Sequence, residues 1–249
     1  MSDAIQAETI TITGHEGDEI EAYFARPLGD GPHPSVVVIH HMPGYDRATK
    51  EITRTFAVYG YAALCPNLFH RYAPGANPGD AAAAARAAGG VPDGQCVGDV
   101  KGAADFLRAQ SNSNGKVGVI GYCSGGRQTY LVACSIDVDA AVDCYGGGVV
   151  VSPDQLSEAR PVAPIDLTDN LSCPLLGLFG ADDRNPSPEH VAAMEKALAE
   201  HGKNYEFHSY QGAGHAFFSV DRPSYNLDAA KDGWKRIWAF YGEHLASAS

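Results

Sequence analysis

Lys116-Val117-Gly118-Val119-Ile120-Gly121-Tyr122-Cys123-Ser124-Gly125-Gly126 sets the fold class of this chain. The first half is a short apolar run rich in β-branched residues, as in a strand buried on both faces. Gly121-Tyr122-Cys123-Ser124-Gly125 then matches a strand-to-helix turn with a nucleophile at its apex. Such a turn is tight, so the positions two before and two after the apex must be tiny, and here they are glycines. The helix that follows points its N-terminus at the Cys123 sulfur, which favours a thiolate. The Ser124 N–H is placed as an oxyanion donor, while the Ser124 hydroxyl, one place past the apex, should point away.

Similar runs occur outward from this segment: Ser35–His40, Ala62–Cys65, Ala140–Tyr145 and Pro174–Phe179. Helical stretches at 51–59, 99–109, 125–134, 188–201 and 223–245 separate several of them or follow the last. Thr9–Thr13 and Glu19–Ala25, divided by Gly14 and Gly17, suggest a hairpin. Alternating strands and helices of this kind predict an α/β fold, a mostly parallel central sheet with helices on both faces. Ala81–Ala88 is left between a short helix and a loop. With no internal repeat and no linker, residues 1–249 are expected to form a single domain.

Composition narrows the function. The chain has 30 acidic against 18 basic residues, a formal charge of −12, which repels phosphate backbones and anionic lipid. No apolar run approaches the roughly 18–20 residues of a membrane span, and the N-terminus lacks a basic and apolar leader. The expectation is a cytoplasmic protein acting on a small molecule, without nucleic-acid or membrane partners, and a monomer rather than an oligomer. Six cysteines form no CxxC pair and no Cys/His cluster with zinc spacing, so neither metal nor cofactor is expected. Cys65, Cys134, Cys144 and Cys173 lie in or beside apolar runs and read as reduced, buried residues.

A nucleophile elbow needs an acid and then a histidine in chain order. Gly180-Ala181-Asp182-Asp183 follows the run 174–179. Asp182 is the choice of acid, with Asp183 facing outward, although spacing alone allows the two to be exchanged. Gln211-Gly212-Ala213-Gly214-His215 follows the strand-like Tyr205–Tyr210 and supplies the base, His215. The second oxyanion donor should come from the loop after 35–40, where Pro43 has no N–H and Met42 is preferred. Of the adjacent His40 and His41, which point to opposite faces, His41 is expected to line the pocket.

These residues resemble the dienelactone hydrolase family of the α/β-hydrolase superfamily. The resemblance rests on Gly121–Gly126, Gly180-Ala181-Asp182 and Gly212-Ala213-Gly214-His215-Ala216-Phe217. It extends to Asp221-Arg222-Pro223-Ser224-Tyr225-Asn226, with Ala229, Ala230 and Trp234, and so covers essentially the whole chain. Most superfamily relatives carry serine at the apex, so the cysteine elbow is specific. The resemblance implies a carboxylic ester hydrolase that opens lactones or small esters with a Cys123-His215-Asp182 triad. The acyl group would pass through a thioester, which water activated by His215 would release. A family glutamate that contacts the resting thiol matches His41 here, and one of two arginines that bind a substrate carboxylate falls on Ser219. The other lies near Arg86, and Arg222 is close enough to substitute. Tyr45, Tyr72, Tyr122, Tyr145, Phe217 and Tyr225 are aromatic candidates for the pocket, and Tyr122 and Phe217 are expected to contact substrate. A thioesterase or acyltransferase would use the same triad, whereas a ligand binder would need no complete triad. A redox thiol would require a resolving cysteine, and Cys96, Cys134 or Cys144 would have to approach in space.

Overall fold

The computed structural model describes residues 4–246. Its centre is one eight-stranded sheet in the order β1-β2-β4-β3-β5-β6-β7-β8. β1 (Ile5–Thr13) and β2 (Glu19–Pro27) form the expected hairpin. β2 also runs antiparallel to β4 (Ala62–Pro66), and all later pairings are parallel. These join β3 (His33–Ile39), β4, β5 (Ser113–Tyr122), β6 (Ala140–Cys144), β7 (Leu175–Gly180) and β8 (Tyr205–Tyr210). The chain leaves β3 for β4 on one side and returns to β5 on the other. The carboxyl ends of β3 and β5 therefore flank a topological switch point, where α/β sheets open a crevice.

The period-two pattern of each strand divides the core. Val36, Val38, Ala63, Ile120, Val142 and Leu176 pack beneath α1 (Arg47–Val58) and α6 (Leu227–His244). Val37, Ile39, Leu64, Val119, Ala141 and Leu175 face α3 (Asp93–Arg108), α4 (Ser124–Ala133) and α5 (Pro188–Glu200). Such two-sided burial is why these strands read as unbroken apolar runs rather than alternations. Tyr241 of α6 is fully buried and donates its hydroxyl to Val119 O at 2.8 Å, fixing the helix to the central strands.

Helix boundaries shift from the sequence expectation where a cap decides them. α1 starts before residue 51 because Asp46 accepts the Thr49 N–H at 2.9 Å. α6 starts only at Leu227, since Asn226 caps it through the Ala229 N–H at 3.1 Å and Pro223–Asn226 stays outside. The alanine-rich stretch is a helix, α2 (Pro78–Ala87). Asn77 caps it, Pro78 fits its first turn, and Ala81, Ala82 and Ala85 are buried. No helix among the described residues is long and apolar enough to cross a membrane.

Candidate active site

Cys123 stands at the turn between β5 and α4 with φ 57° and ψ −118°, a left-handed conformation that costs a non-glycine residue on the order of 1–3 kcal/mol. The flanking glycines are required by close approach. A Cβ on Gly121 would lie 2.0 Å from Gly125 O, and one on Gly125 would lie 2.3 Å from Ile39 O. Neither position can accept alanine without displacing backbone. The elbow is thus wedged against β3, which lifts the sulfur into the crevice between the two strand ends.

Beneath the elbow lies Asp143 at the end of β6, fully buried. Its Oδ1 accepts the Gly146 N–H at 2.8 Å, whereas Oδ2 has no hydrogen-bond partner. Burial pushes this carboxyl up to about 7, with the Gly146 N–H opposing. The folded state therefore retains a proton that the unfolded chain releases near 3.8. The resulting penalty is absent below that value, grows as pH rises, and is complete above about 7. Asp143→Asn should thus gain stability over wild type by on the order of 4 kcal/mol between pH 4 and pH 8 in urea denaturation. An equal difference at both pH values would contradict this.

His215 sits on the loop after β8, with Gly212 at φ 72° turning the chain toward the elbow. Its Nδ1 lies 2.7 Å from Oδ2 of Asp183, not of Asp182. This corrects the sequence expectation, and the turn explains it. Asp183 N–H closes onto Gly180 O at 3.2 Å, while Asp182 N–H is drawn to Ala213 O at 3.0 Å. Together these direct Asp183 inward, where its side chain is 3% exposed, and leave Asp182 in solvent. The other Asp183 oxygen accepts the Asn185 N–H at 2.9 Å, so the carboxylate is fixed from both sides.

The far side of the His215 ring hydrogen-bonds the Cys123 sulfur. Burial alone would push the thiol up. The bond and charge of His215, the Ser124 N–H and the Arg222 guanidinium outweigh it and hold Cys123 below the ordinary cysteine value. His215 moves the opposite way: burial lowers it, but the bonds to Asp183 and Cys123 and their charges carry it up to about 10. The opposed shifts favour proton transfer from the thiol to the ring, and the titration belongs to the pair. The other five cysteines are free and buried, and burial pushes each of them up.

These groups open into a cavity of about 280 Å³. Its lining includes His41, Met42, Tyr122, Cys123, Tyr145, His215 and Arg222. Of the residues expected to bind substrate, Tyr122 and His41 are in the lining. Phe217 is not: it is fully buried against Tyr145 and Tyr210, and Phe218 takes its place at the cavity. Ala216 at φ 64° shifts the facing by one residue. Arg86 is exposed on α2 and takes no part in the lining, nor do Tyr45, Tyr72 and Tyr225. Sequence reasoning missed the wall built by Ala48, Ile52 and Thr55 of α1, whose helical spacing was the available signal. It also missed Trp234 and Phe218, which meet edge to face at 5.5 Å.

The adjacent histidines divide their tasks. His40 is buried, its Nδ1 bonded to His41 O at 2.9 Å and its Nε2 accepting Leu68 N–H at 3.2 Å, and burial pushes it down to about 4. It braces the loop as a neutral ring. His41 pairs through Nε2 with Asp46 at 3.1 Å, the carboxylate that also caps α1. Among the described residues no group of His, Cys, Asp and Glu is arranged to hold a metal ion.

The model of the dienelactone hydrolase family matches residues 20–245. A "Putative carboxymethylenebutenolidase" of Escherichia coli (strain K12) is 34% identical over 97% of this chain and 89% of its own length. A protein of the same name from Synechocystis sp. is 30% identical over 98% of this chain and the whole of its own. The crystal structure of a "Putative Dienelactone Hydrolase" from Klebsiella pneumoniae subsp. pneumoniae superposes with a TM-score of 0.87 at 32% identity. It covers 96% of this chain and 99% of that one.

Proposed function

The chain belongs to the dienelactone hydrolase family, hydrolases acting on lactone or ester bonds, and we propose that it works through a Cys123-His215-Asp183 triad and a thioester intermediate. The observation that carries this reading is the bond from His215 Nδ1 to buried Asp183 on one side of the ring, with the Cys123 sulfur on the other. Asp183 holds the proton on Nδ1, so the opposite ring nitrogen faces sulfur. The thiolate attacks the carbonyl carbon, and the Ser124 and Met42 N–H groups receive the oxyanion. Loss of one such donor typically lowers the rate by ~10²–10³. As the tetrahedral intermediate collapses, the C–O bond breaks and the His215 proton passes to the leaving oxygen. His215, now neutral, takes a proton from water as it attacks the thioester, and the thiolate–imidazolium pair re-forms.

The reading is tested by turnover of p-nitrophenyl acetate and a dienelactone before and after stoichiometric alkylation with iodoacetamide. Loss of both activities in step with Cys123 labelling supports it. Undiminished turnover by fully alkylated protein would reject it.

Alkylation also reports the ion pair. Because His215 lowers the thiol, the alkylation rate of wild-type protein should rise to its plateau at a lower pH than that of an ordinary cysteine. His215→Ala removes the largest opposing influence on burial, so the rise should move to higher pH. Superimposable pH–rate curves for the two proteins would show that no such pair exists.

A further inference from the structure

We propose that His40, which lies outside the cavity lining, is a positioning residue that aims the Met42 N–H at the oxyanion. The proposal rests on the triad reading above and names the group that builds the second half of its oxyanion site.

The His41–Met42 peptide is trans, so its carbonyl and its N–H point in opposite directions from one rigid plane. His40 holds that plane by the carbonyl. Its Nε2 faces the Leu68 N–H at 3.2 Å and can only accept there, which leaves the ring proton on Nδ1. Nδ1 therefore donates to His41 O at 2.9 Å. With the carbonyl drawn toward the buried ring, the Met42 N–H is turned the other way, and Met42 lines the cavity with Cys123. Among the described residues no group accepts that N–H.

The ring is itself held in place. Phe69 meets it edge to face at 4.7 Å, and Gly44 closes over the hydrogen bond. A Cβ on Gly44, at φ 60°, would fall 2.0 Å from His40 Nδ1 and 2.1 Å from His41 O, so only glycine fits there. That seal keeps water from competing for the carbonyl, and a bond to the carbonyl polarises the N–H of the same peptide. The start of this loop also touches the elbow: a Cβ on Gly125 would lie 2.9 Å from His40 O. The Met42 and Ser124 N–H groups are thereby brought to one crevice.

Asn and Gln each keep one of the two ring functions, which makes the test. The Asn amide stands where Nδ1 stands and donates to His41 O, whereas the Gln amide reaches the place of Nε2 and accepts the Leu68 N–H. His40→Gln should lower kcat/KM for p-nitrophenyl acetate by at least about tenfold, and His40→Asn by no more than about threefold. Inhibition by trifluoroacetone should weaken in step. In that adduct the thiolate forms a C–S bond to the carbonyl carbon, and the π pair of the C=O bond moves to oxygen as the oxyanion. Equal losses in the two variants, or no loss in either, would overturn the proposal.

NMR of the wild-type protein decides the matter if a variant fails to fold. The His40 ring proton should reside on Nδ1, and the Met42 amide proton should move downfield when trifluoroacetone binds. A proton on Nε2, or an unmoved Met42 signal, would overturn the proposal. Alkylation of Cys123 keeps the two readings apart. Turnover that survives it rejects the triad, whereas alkylation-sensitive turnover with equal losses in both variants rejects the role of His40 alone.

Discussion

Cys123→Ala should lower kcat for p-nitrophenyl acetate by at least about 10³-fold, since a nucleophile acting within a triad is not replaced by its partners. The variant should fold. The left-handed turn at φ 57° suits alanine no worse than cysteine, and the space around Gly121 and Gly125 is untouched. On the proposed mechanism, what remains is catalysis by the Ser124 and Met42 N–H groups and by binding. Cys123→Ser should also be slow, because a hydroxyl at the apex is not ionised by an imidazolium as a thiol is. Circular dichroism and thermal unfolding close to wild type, together with the lost turnover, would assign the loss to chemistry. A variant that folds and still turns over at the wild-type rate would exclude Cys123 as nucleophile.

The second large effect separates two neighbouring aspartates. Asp183→Asn should lower kcat/KM by on the order of 10²–10⁴, because an amide no longer enforces the proton on Nδ1 of His215 or supports the imidazolium. It can still accept the Asn185 N–H, so the loop should keep its shape. Asp182→Asn should stay within about twofold, as this side chain is exposed and only its backbone N–H is engaged. The pH profile adds a sign. Asp183 is the leading influence raising His215 toward about 10, so its removal should bring the alkaline limb of kcat/KM with an alkyl ester down in pH. Larger losses in Asp182→Asn than in Asp183→Asn would reverse the assignment.

The contrast between these residues shows what was legible beforehand. The elbow could be read because its demands are local: a β-branched run, an apex, and glycines where a Cβ would strike Gly125 O or Ile39 O. His215 could be read from its glycine-rich loop after a late strand. The acid could not be settled, because the Gly180–Asp183 turn takes its direction partly from Ala213, far along the chain. Phe217 was placed one residue off for a similar reason, the positive φ of Ala216. The mostly parallel sheet with helices on both faces followed from the alternating runs, whereas strand order was not read and helix starts depended on the caps Asp46 and Asn226. The α1 wall escaped notice because Ala48, Ile52 and Thr55 have an ordinary amphipathic spacing. Only the packing of α1 on β2, β4 and β3 brings that face to the cavity around the sulfur.

The most direct measurement is the mass of the enzyme quenched in acid during turnover of p-nitrophenyl acetate, followed by peptide mapping. A Cys123-His215-Asp183 mechanism predicts a single acetyl adduct on the peptide containing Cys123, labile to hydroxylamine and absent from Cys123→Ala. An adduct on Ser124, or on any residue of folded and active Cys123→Ala protein, would contradict it.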